Sequence, residues 1–342
     1  MQQPLRTTLE TLLDRRDLSE AQAEALLVAL TDEHLSPAMA GAILAALRSK
    51  GATADEIRGF AGAMRRLARR PHIPEGSPTV DIVGTGGDSS GSLNLSTGTA
   101  LLVAACGVRV VKHGNRAMSS RCGSADLLTA LGLELPLDEE AAGRCLDQTG
   151  FTFLFAPYYH TCLKALAPVR TALGVRTVFN MLGPLSNPAE PPFYLIGAYS
   201  LAAAELLANA LAGMRIQRAF VVHGDLGWDE PTPASPFTLF DVHPRRIERV
   251  SRKIEDYGLD ACRPEELAGG DAAYNAEALR AVFQGRDQGA HRNALLLGAS
   301  LVMELMGRST AREGVAIAAR VLDSGRAAAT LDRLLRFGTG VA

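Results

Sequence analysis

Two short stretches near residue 90 have the composition of a phosphate cradle. Gly84-Thr85-Gly86-Gly87-Asp88 follows directly on the strand-like triplet D-I-V. Three glycines at the carboxyl end of a strand allow positive φ and close backbone approach, and their successive N–H groups can form an anion nest. Asn94-Leu95-Ser96-Thr97 comes next and leads into the apolar run T-A-L-L-V-A-A-C. Hydroxyls at a helix N-terminus are a usual place for phosphate. Either half alone reads equally well as a glycine turn with a Ser/Thr cap. Neither is a Walker loop, because no G-K-[ST] follows, nor a dinucleotide-binding G-x-G-x-x-G.

A second block, Lys112-His113-Gly114-Asn115-Arg116 with Ser119-Ser120 and Gly123-Ser124, follows the apolar-rich V-R-V-V. Two fixed cations, a glycine and several hydroxyls suit a phosphorylated ligand. In open α/β sheets ligands bind at the carboxyl edge, where both blocks fall. A third candidate is Asp229-Glu230, after A-F-V-V-H-G. Adjacent carboxylates there can hold Mg²⁺, which prefers oxygen ligands and phosphate partners; an isolated pair is more often an exposed acidic turn. The fourth runs from Phe155-Ala156-Pro157 through His160, Pro168-Val169-Arg170 and Arg176-Thr177-Val178-Phe179-Asn180 to Gly183-Pro184-Leu185-Ser186-Asn187-Pro188. An arginine facing a pocket can take a carboxylate bidentately, although a lone helix-surface Arg is usually solvated.

The elements that must position these blocks are legible in the apolar periodicity. Residues 1–70 read as four short helices. Leu5, Leu9, Leu12 and Leu13 fall at helical spacing, and Ser19 with Gln22 and Thr53 with Glu56 form capping boxes. Ser36-Pro37 starts one helix and Gly51 stops it, while Pro71 ends the fourth. Beyond that proline, strands are expected at 79–83, 108–111, 151–155, 194–198 and 219–222. Helices are expected at 99–106, 125–131, 201–212 and 272–283, with an Ala-rich helix at the C-terminus. Alternating strands and helices predict an α/β fold: a small all-α domain, 1–70, and a larger α/β domain, 74–342, with a central, mostly parallel sheet.

The chain has 342 residues, enough for about two domains and a sizeable core. Lys+Arg total 35 against 37 Asp+Glu, a net charge of -2, which excludes nucleic-acid binding driven by a bulk basic surface and leaves room for a local basic pocket. Five scattered cysteines without a C-x-x-C pair predict a reduced, cytoplasmic protein with neither disulfide framework nor zinc site. No signal peptide is read at the start. The uncharged stretch 89–108 opens with Ser, Gly and Asn, which a bilayer would reject, so no membrane span is expected.

Taken together, the four blocks closely resemble the anthranilate phosphoribosyltransferase family. Its G-T-G-G-D loop, N-x-S-T, K-H-G-N-R-x-x-S-S-x-x-G-S-A-D, F-A-P…H…P-V-R…R-T-x-F-N-x-L-G-P-L-x-N-P and D-E pair are all present, in order. The resemblance extends from the N-terminal helices to G-G-D-A-A-Y-N-A-E-A-L-R-A-V. It implies transfer of the 5-phosphoribosyl group from phosphoribosyl pyrophosphate (PRPP) to the amine of anthranilate, in tryptophan biosynthesis. Helices around 159–185 would join the small domain in space, and its helical face would make a homodimer. Gly84, Thr85, Gly87, Asp88, Ser92, Asn94, Leu95, Ser96 and Thr97 would surround PRPP. Lys112, His113, Gly114, Asn115, Arg116, Ala117, Met118, Ser119, Ser120 and Ser124 would close over its phosphates. Asn115 and Gly84 would also meet anthranilate, Arg170 would bind its carboxylate, and His113 and His160 would line its path. Asp229, Glu230 and Ser96 would contact magnesium, two ions in all. His113, Asn115 and Arg170 form the expected catalytic set, with His113 as the candidate to take up the amine proton.

One stretch departs from the family pattern. After Glu230 the run is P-T-P-A-S-P-F-T-L-F-D-V, with Ser235 near the usual Gly and Asp241 in place of the usual Glu. A pyrimidine nucleoside phosphorylase shares the architecture, but the K-H-G-N-R block and the Arg170 helix match the transferase better. A non-catalytic nucleic-acid-binding relative would have lost the glycine loop and the carboxylates, both present here.

Overall fold

The computed structural model describes residues 2–117 and 121–338; Met118, Ser119 and Ser120 of the second block lie outside them. The chain opens with helices α1 (Gln2–Leu13), α2 (Glu20–Leu30), α3 (Pro37–Lys50) and α4 (Ala54–Leu67). Both predicted capping boxes form: Ser19 accepts from Gln22 N–H and Thr53 from Glu56 N–H, with the Gln and Glu side chains reaching back. Pro37 sits in the first turn of α3, but Ser36 gives no side-chain cap. Helix α4 stops ahead of Pro71, because Ala68 is already extended. Leu5 and Leu12 pack inward, whereas Leu13 is 64% exposed.

Seven strands form one sheet: β1 (Thr79–Gly84), β2 (Arg109–Gly114), β3 (Phe151–Phe155), β4 (Phe193–Gly197), β5 (Arg218–Gly224), β6 (Phe237–His243) and β7 (Arg246–Arg252). Their spatial order is β3-β2-β1-β4-β5-β6-β7, with β1 to β5 parallel and the β6–β7 hairpin antiparallel at the edge. The first five match the predicted strands within a few residues at each end. The hairpin was not among the expected strands. Its outer member, R-I-E-R-V-S-R, carries exposed charges, the device that keeps an edge strand from pairing with another chain.

Strand side chains alternate between two cores, as a doubly covered sheet requires. Val80, Ile82, Leu195, Phe220 and Val222 face one core. It is built with α5 (Leu95–Ala105), α6 (Ser124–Leu131) and α7 (Glu139–Thr149), together with the later helices described below. Tyr194, Ile196, Ala219 and Val221 face the other, shared with α1 to α4. The segment 156–185 contributes α8 (Ala156–Tyr159), a 3₁₀ turn (Thr161–Leu166), α9 (Ala167–Leu173) and α10 (Phe179–Leu182). Leu166, Val169, Phe179 and Leu182 enter the core of the N-terminal helices, α9 against α3 and α10 against α4. Helix α11 (Leu201–Ala212) also joins this second core. The first core is completed by α12 (Ala272–Phe283), α13 (Ala290–Leu305), α14 (Ala311–Asp323) and α15 (Arg326–Gly338).

The proline-rich loop after Glu230 has a defined path. Pro231, Thr232 and Pro233 are buried, the Pro233 carbonyl accepts from Cys262 N–H at 3.1 Å, and the Pro236 carbonyl accepts from Asp225 N–H at 3.0 Å. Asp241 receives both arms of Arg218, at 2.8 and 2.6 Å. Among the described residues no disulfide joins the cysteines. Among the described residues, no helix is long and apolar enough to cross a membrane.

Candidate active site

Glycines at paired strand ends create the space in which the site is assembled. Gly84 ends β1 and Gly197 ends β4, directly opposite each other. A Cβ on Gly84 would lie 2.5 Å from an Asp229 carboxyl oxygen, and one on Gly197 would lie 2.5 Å from the Asp229 carbonyl carbon. Asp229 therefore crosses the two strand ends in contact with bare backbone. Its carboxylate accepts from Gly86 N–H and from the Thr85 hydroxyl at 3.5 Å. The left-handed φ of Gly86 and Gly87, +70° and +78°, turns this loop back toward the carboxylate. The Asp229 N–H donates to Asp88 at 3.3 Å, and Glu230 accepts from Ser96 N–H, at the start of α5, at 3.1 Å. The glycine loop, the N-terminus of α5 and the Asp-Glu turn thus meet at the carboxyl ends of β1, β4 and β5. This is where the strand order reverses, the topological switch point of an open sheet.

Strand alternation sends Lys112 inward. It is 2% exposed; its ammonium donates to the Ile82 carbonyl and to the Ser96 hydroxyl at 3.3 Å. Burial lowers its pKa, opposed by Asp81, Glu230 and Asp229. Lys112 therefore stands beneath the loops, not over them as expected. Asp81 is its buried counterpart. It accepts from Asn187 Nδ2 at 2.8 Å and from His113 N–H at 3.2 Å, and burial pushes its carboxyl up to about 6. Asp81 was missed from sequence. Its signal was an acid inside the apolar run T-V-D-I-V, a cost that calls for a partner.

Past β2 the chain turns at Gly114, where a Cβ would meet the Phe153 ring at 2.9 Å. The Ser124 hydroxyl donates to the Asn115 carbonyl at 3.2 Å. Asp126 gathers Ala117 N–H (2.8 Å), Gly123 N–H (3.0 Å) and Arg116 (3.1 Å), closing the base of this loop. Ser92 receives a hydrogen bond from Ser90 at 3.2 Å. Leu95 and Thr97 are buried, so their side chains belong to the core, with the Thr97 hydroxyl unpartnered among the described residues.

His113 and His160 form an edge-to-face pair with ring centroids 5.0 Å apart. The Nδ1 of His113 lies 3.2 Å from the Gly183 carbonyl, so Nδ1 carries the proton and Nε2 presents a lone pair. Among the described residues that Nε2 has no hydrogen-bond partner, and the buried His160 ring lies against the backbone of Ser186 and Met64. Burial and the neighbouring His160 push His113 down to about 3, and burial pushes His160 down to about 4. Both rings are neutral at physiological pH, which weakens His113 as a base. Arg170, on α9, lies over the Phe179 ring at 5.0 Å, and burial lowers its pKa. Among the described residues its guanidinium has no carboxylate partner.

The donor set fits magnesium. Burial and neighbouring acidic charge raise the pKa of both Asp229 and Glu230, so a cation would relieve the repulsion. Among the described residues no group of three His, Cys, Asp or Glu forms a complete cage. Mg²⁺ does not need one, since it commonly takes one or two carboxylates with substrate phosphates and water.

Residues 6–68 match the helical bundle domain of a glycosyl transferase family, and residues 76–328 match its a/b domain. Among curated relatives, the anthranilate phosphoribosyltransferase of Chloroflexus aggregans is 41% identical over 99% of both chains. The chain belongs to the anthranilate phosphoribosyltransferase family. Another member, from Desulforudis audaxviator, is 44% identical over 97% of this chain and 96% of its own. Among solved structures, the Thermus thermophilus enzyme superposes with a TM-score of 0.90 at 40% identity, covering 97% of this chain and 99% of that one. The Saccharomyces cerevisiae enzyme in complex with PRPP and Mg gives 0.89 at 26% identity, covering 98% of each chain. Family motifs account for Asp229, Glu230 and the two loops. They do not single out Gly197, whose strand-end position needs the β1–β4 register to be seen, nor Asp81.

Proposed function

We propose that this enzyme carries out the family reaction with the residues gathered at the switch point in the roles below. The 5-phosphoribosyl group passes from PRPP to the anthranilate amine, giving N-(5-phosphoribosyl)anthranilate and pyrophosphate. The observation that carries the reading is the convergence of Asp229 on the Gly86 amide and of Glu230 on the Ser96 amide. It brings three turns, distant in sequence, to one rim.

On the donor side, the loop of Gly84 to Asp88 and the segment Ser92 to Thr97 hold the sugar and its phosphates through amides and hydroxyls. Asn115, Arg116, Ala117 and Ser124 cover them from the opposite loop. Asp229 and Glu230, with Ser96, would hold the magnesium, two ions in this reading. When bound, magnesium neutralises the charge that grows on the departing pyrophosphate. Lys112 contributes from below: it fixes the Ser96 hydroxyl and offsets the charge of Asp81 and Glu230.

On the acceptor side, Arg170 takes the anthranilate carboxylate, the anion its guanidinium lacks. The neutral aromatic amine attacks C1 of the ribose with its lone pair while the bond from C1 to the pyrophosphate oxygen breaks. Nε2 of His113 is sealed from the surface, so the ring lines the anthranilate path beside His160 and does not touch the amine. With its pKa near 3 the ring is not a strong base, and the acidic arylammonium proton passes to water or pyrophosphate. Positioning and electrostatics then supply most of the rate.

The exposed Leu13 and Val28 on α1 and α2 support a homodimer through the helical face. Five scattered cysteines without a C-x-x-C pair support a cytoplasmic location. Loss of anthranilate fluorescence on mixing the enzyme with anthranilate, PRPP and Mg²⁺ tests the activity. Thymidine with inorganic phosphate serves as the parallel arm, and turnover confined to that arm would refute the transferase reading.

A further inference from the structure

Helix α12 carries none of the site residues assigned above, although it lies in the family-like G-G-D-A-A-Y-N-A-E-A-L-R-A-V segment, yet one of its side chains reaches into both substrate loops. Asn275 is 1% exposed. Its Oδ1 accepts from Gly270 N–H at 2.7 Å, and its Nδ2 donates to Asn94 Oδ1 at 2.9 Å. Asn94 in turn donates its Nδ2 to the Cys122 carbonyl at 3.0 Å. The chain of amides has one direction, from the Gly-Gly-Asp turn through the α5 loop to the flank of the loop closed by Asp126.

The cost of this arrangement is visible. Asn94 occupies the N-cap position of α5 but makes no capping hydrogen bond, although asparagine there ordinarily accepts from the first helical turn. Its side chain is used between loops instead. The turn that carries the relay is itself anchored: Leu93 N–H donates to the Leu267 carbonyl at 3.0 Å, and Gly269 N–H to the Gly91 carbonyl at 2.8 Å. A Cβ at Gly269 would lie 2.6 Å from the Ser92 carbonyl oxygen, so the two backbones touch.

We propose that Asn275 is a positioning residue for PRPP, its buried amide relay through Asn94 to the Cys122 carbonyl setting the two phosphate loops in register. The inference rests on the placing of the 94–97 loop around the sugar. Asn275 acts through Asn94, with a second side-chain contact to the Cys122 thiol, and touches no substrate itself. Aspartate would not replace it: a carboxylate can accept from Gly270 but cannot donate to Asn94. Flipping Asn94 to answer it would set carbonyl against carbonyl at Cys122.

The test is a two-by-two kinetic cycle of Asn275→Ala and Asn94→Ala. Asn275→Ala alone should raise KM for PRPP about fivefold, the factor one net hydrogen bond is worth. KM for anthranilate should stay the same and kcat should change by less than about twofold. In the Asn94→Ala background the same substitution should change KM for PRPP by less than about twofold, since the relay is already broken. A fivefold effect in both backgrounds, a parallel rise in both Michaelis constants, or constants unchanged in Asn275→Ala would overturn the proposal. An unchanged KM for PRPP in Asn94→Ala alone would instead refute the placing of the loop, and the relay with it. Asn275→Asp, which keeps the volume, provides the same readouts should the alanine variant not fold.

Discussion

Gly197→Ala tests whether the close approach of Asp229 to bare strand ends is what makes the site. The methyl group would lie 2.5 Å from the Asp229 carbonyl carbon, where carbon atoms ordinarily stand about 3.5 Å apart. The Asp229 carbonyl oxygen would be overlapped outright, so the Asp229 backbone must retreat by at least about 1 Å, since the β4 strand is held on both sides by β1 and β5. A displacement of this size at a catalytic group costs on the order of 100-fold in rate, equivalent to about 2.7 kcal/mol of transition-state stabilisation. Initial rates followed by anthranilate fluorescence should show that loss in kcat/KM for PRPP. The Mg²⁺ concentration for half-maximal rate should rise, and KM for anthranilate should be little changed. Overpacking should also cost about 1–3 kcal/mol of stability, so rates are compared on protein shown to be folded by circular dichroism. Gly62→Ala, in the middle of α4 with nothing near its added methyl, is the matched control. It should leave the rate unchanged and stabilise by about 0.5–1 kcal/mol. Wild-type kcat/KM and magnesium dependence in a folded Gly197→Ala variant would refute the argument.

Other perturbations separate the two halves of the site. Arg170→Ala should raise KM for anthranilate roughly ten- to a hundredfold, the worth of about 1.5–3 kcal/mol for a charged hydrogen bond, with KM for PRPP unchanged; an unaltered anthranilate KM would remove Arg170 from the acceptor site. Asp229→Asn combined with Glu230→Gln should abolish turnover at limiting Mg²⁺, checked by a metal titration, and metal-independent activity in the variant would exclude both as ligands. His160 is held neutral in the folded chain until about pH 4, while the unfolded chain protonates it near 6.5. The unfolded state therefore binds more protons in that window, and stability falls as pH drops through it. At pH 5.5 the loss from this ring is on the order of 1 kcal/mol. Asp81, pushed up to about 6, works in the opposite sense, and the neighbouring His113 in the same sense as His160. The comparison is accordingly wild type against His160→Phe: the wild-type thermal midpoint should fall more between pH 7.5 and 5.5, and parallel profiles would show that His160 titrates alike in both states.

Much of this protein was legible in local pattern. Short apolar runs located β1 to β5, capping boxes located α2 and α4, and the glycine loop, the K-H-G-N-R block and the Asp-Glu pair marked the strand ends where ligands gather. Each of these is a property of neighbours in the chain: a run of apolar side chains, a cap three residues away, a backbone φ open to glycine. The edge strand β7 escaped because its charged sequence lacks a continuous apolar face. What the tertiary structure decided are relations between residues that the chain brings together from far apart. Lys112 could have pointed to solvent; pairing of β2 beside β1 turned it in to Asp81 and Ser96. Gly197 is an ordinary strand residue until β4 lies against β1 and Asp229 crosses both. His113 and His160 lose their basicity because two separate segments fold together and exclude water around the rings. Asn275, 181 positions after Asn94, becomes its partner only when α12 packs on the α5 loop. Burial and distance depend on the return path of the chain, and no local period encodes that path.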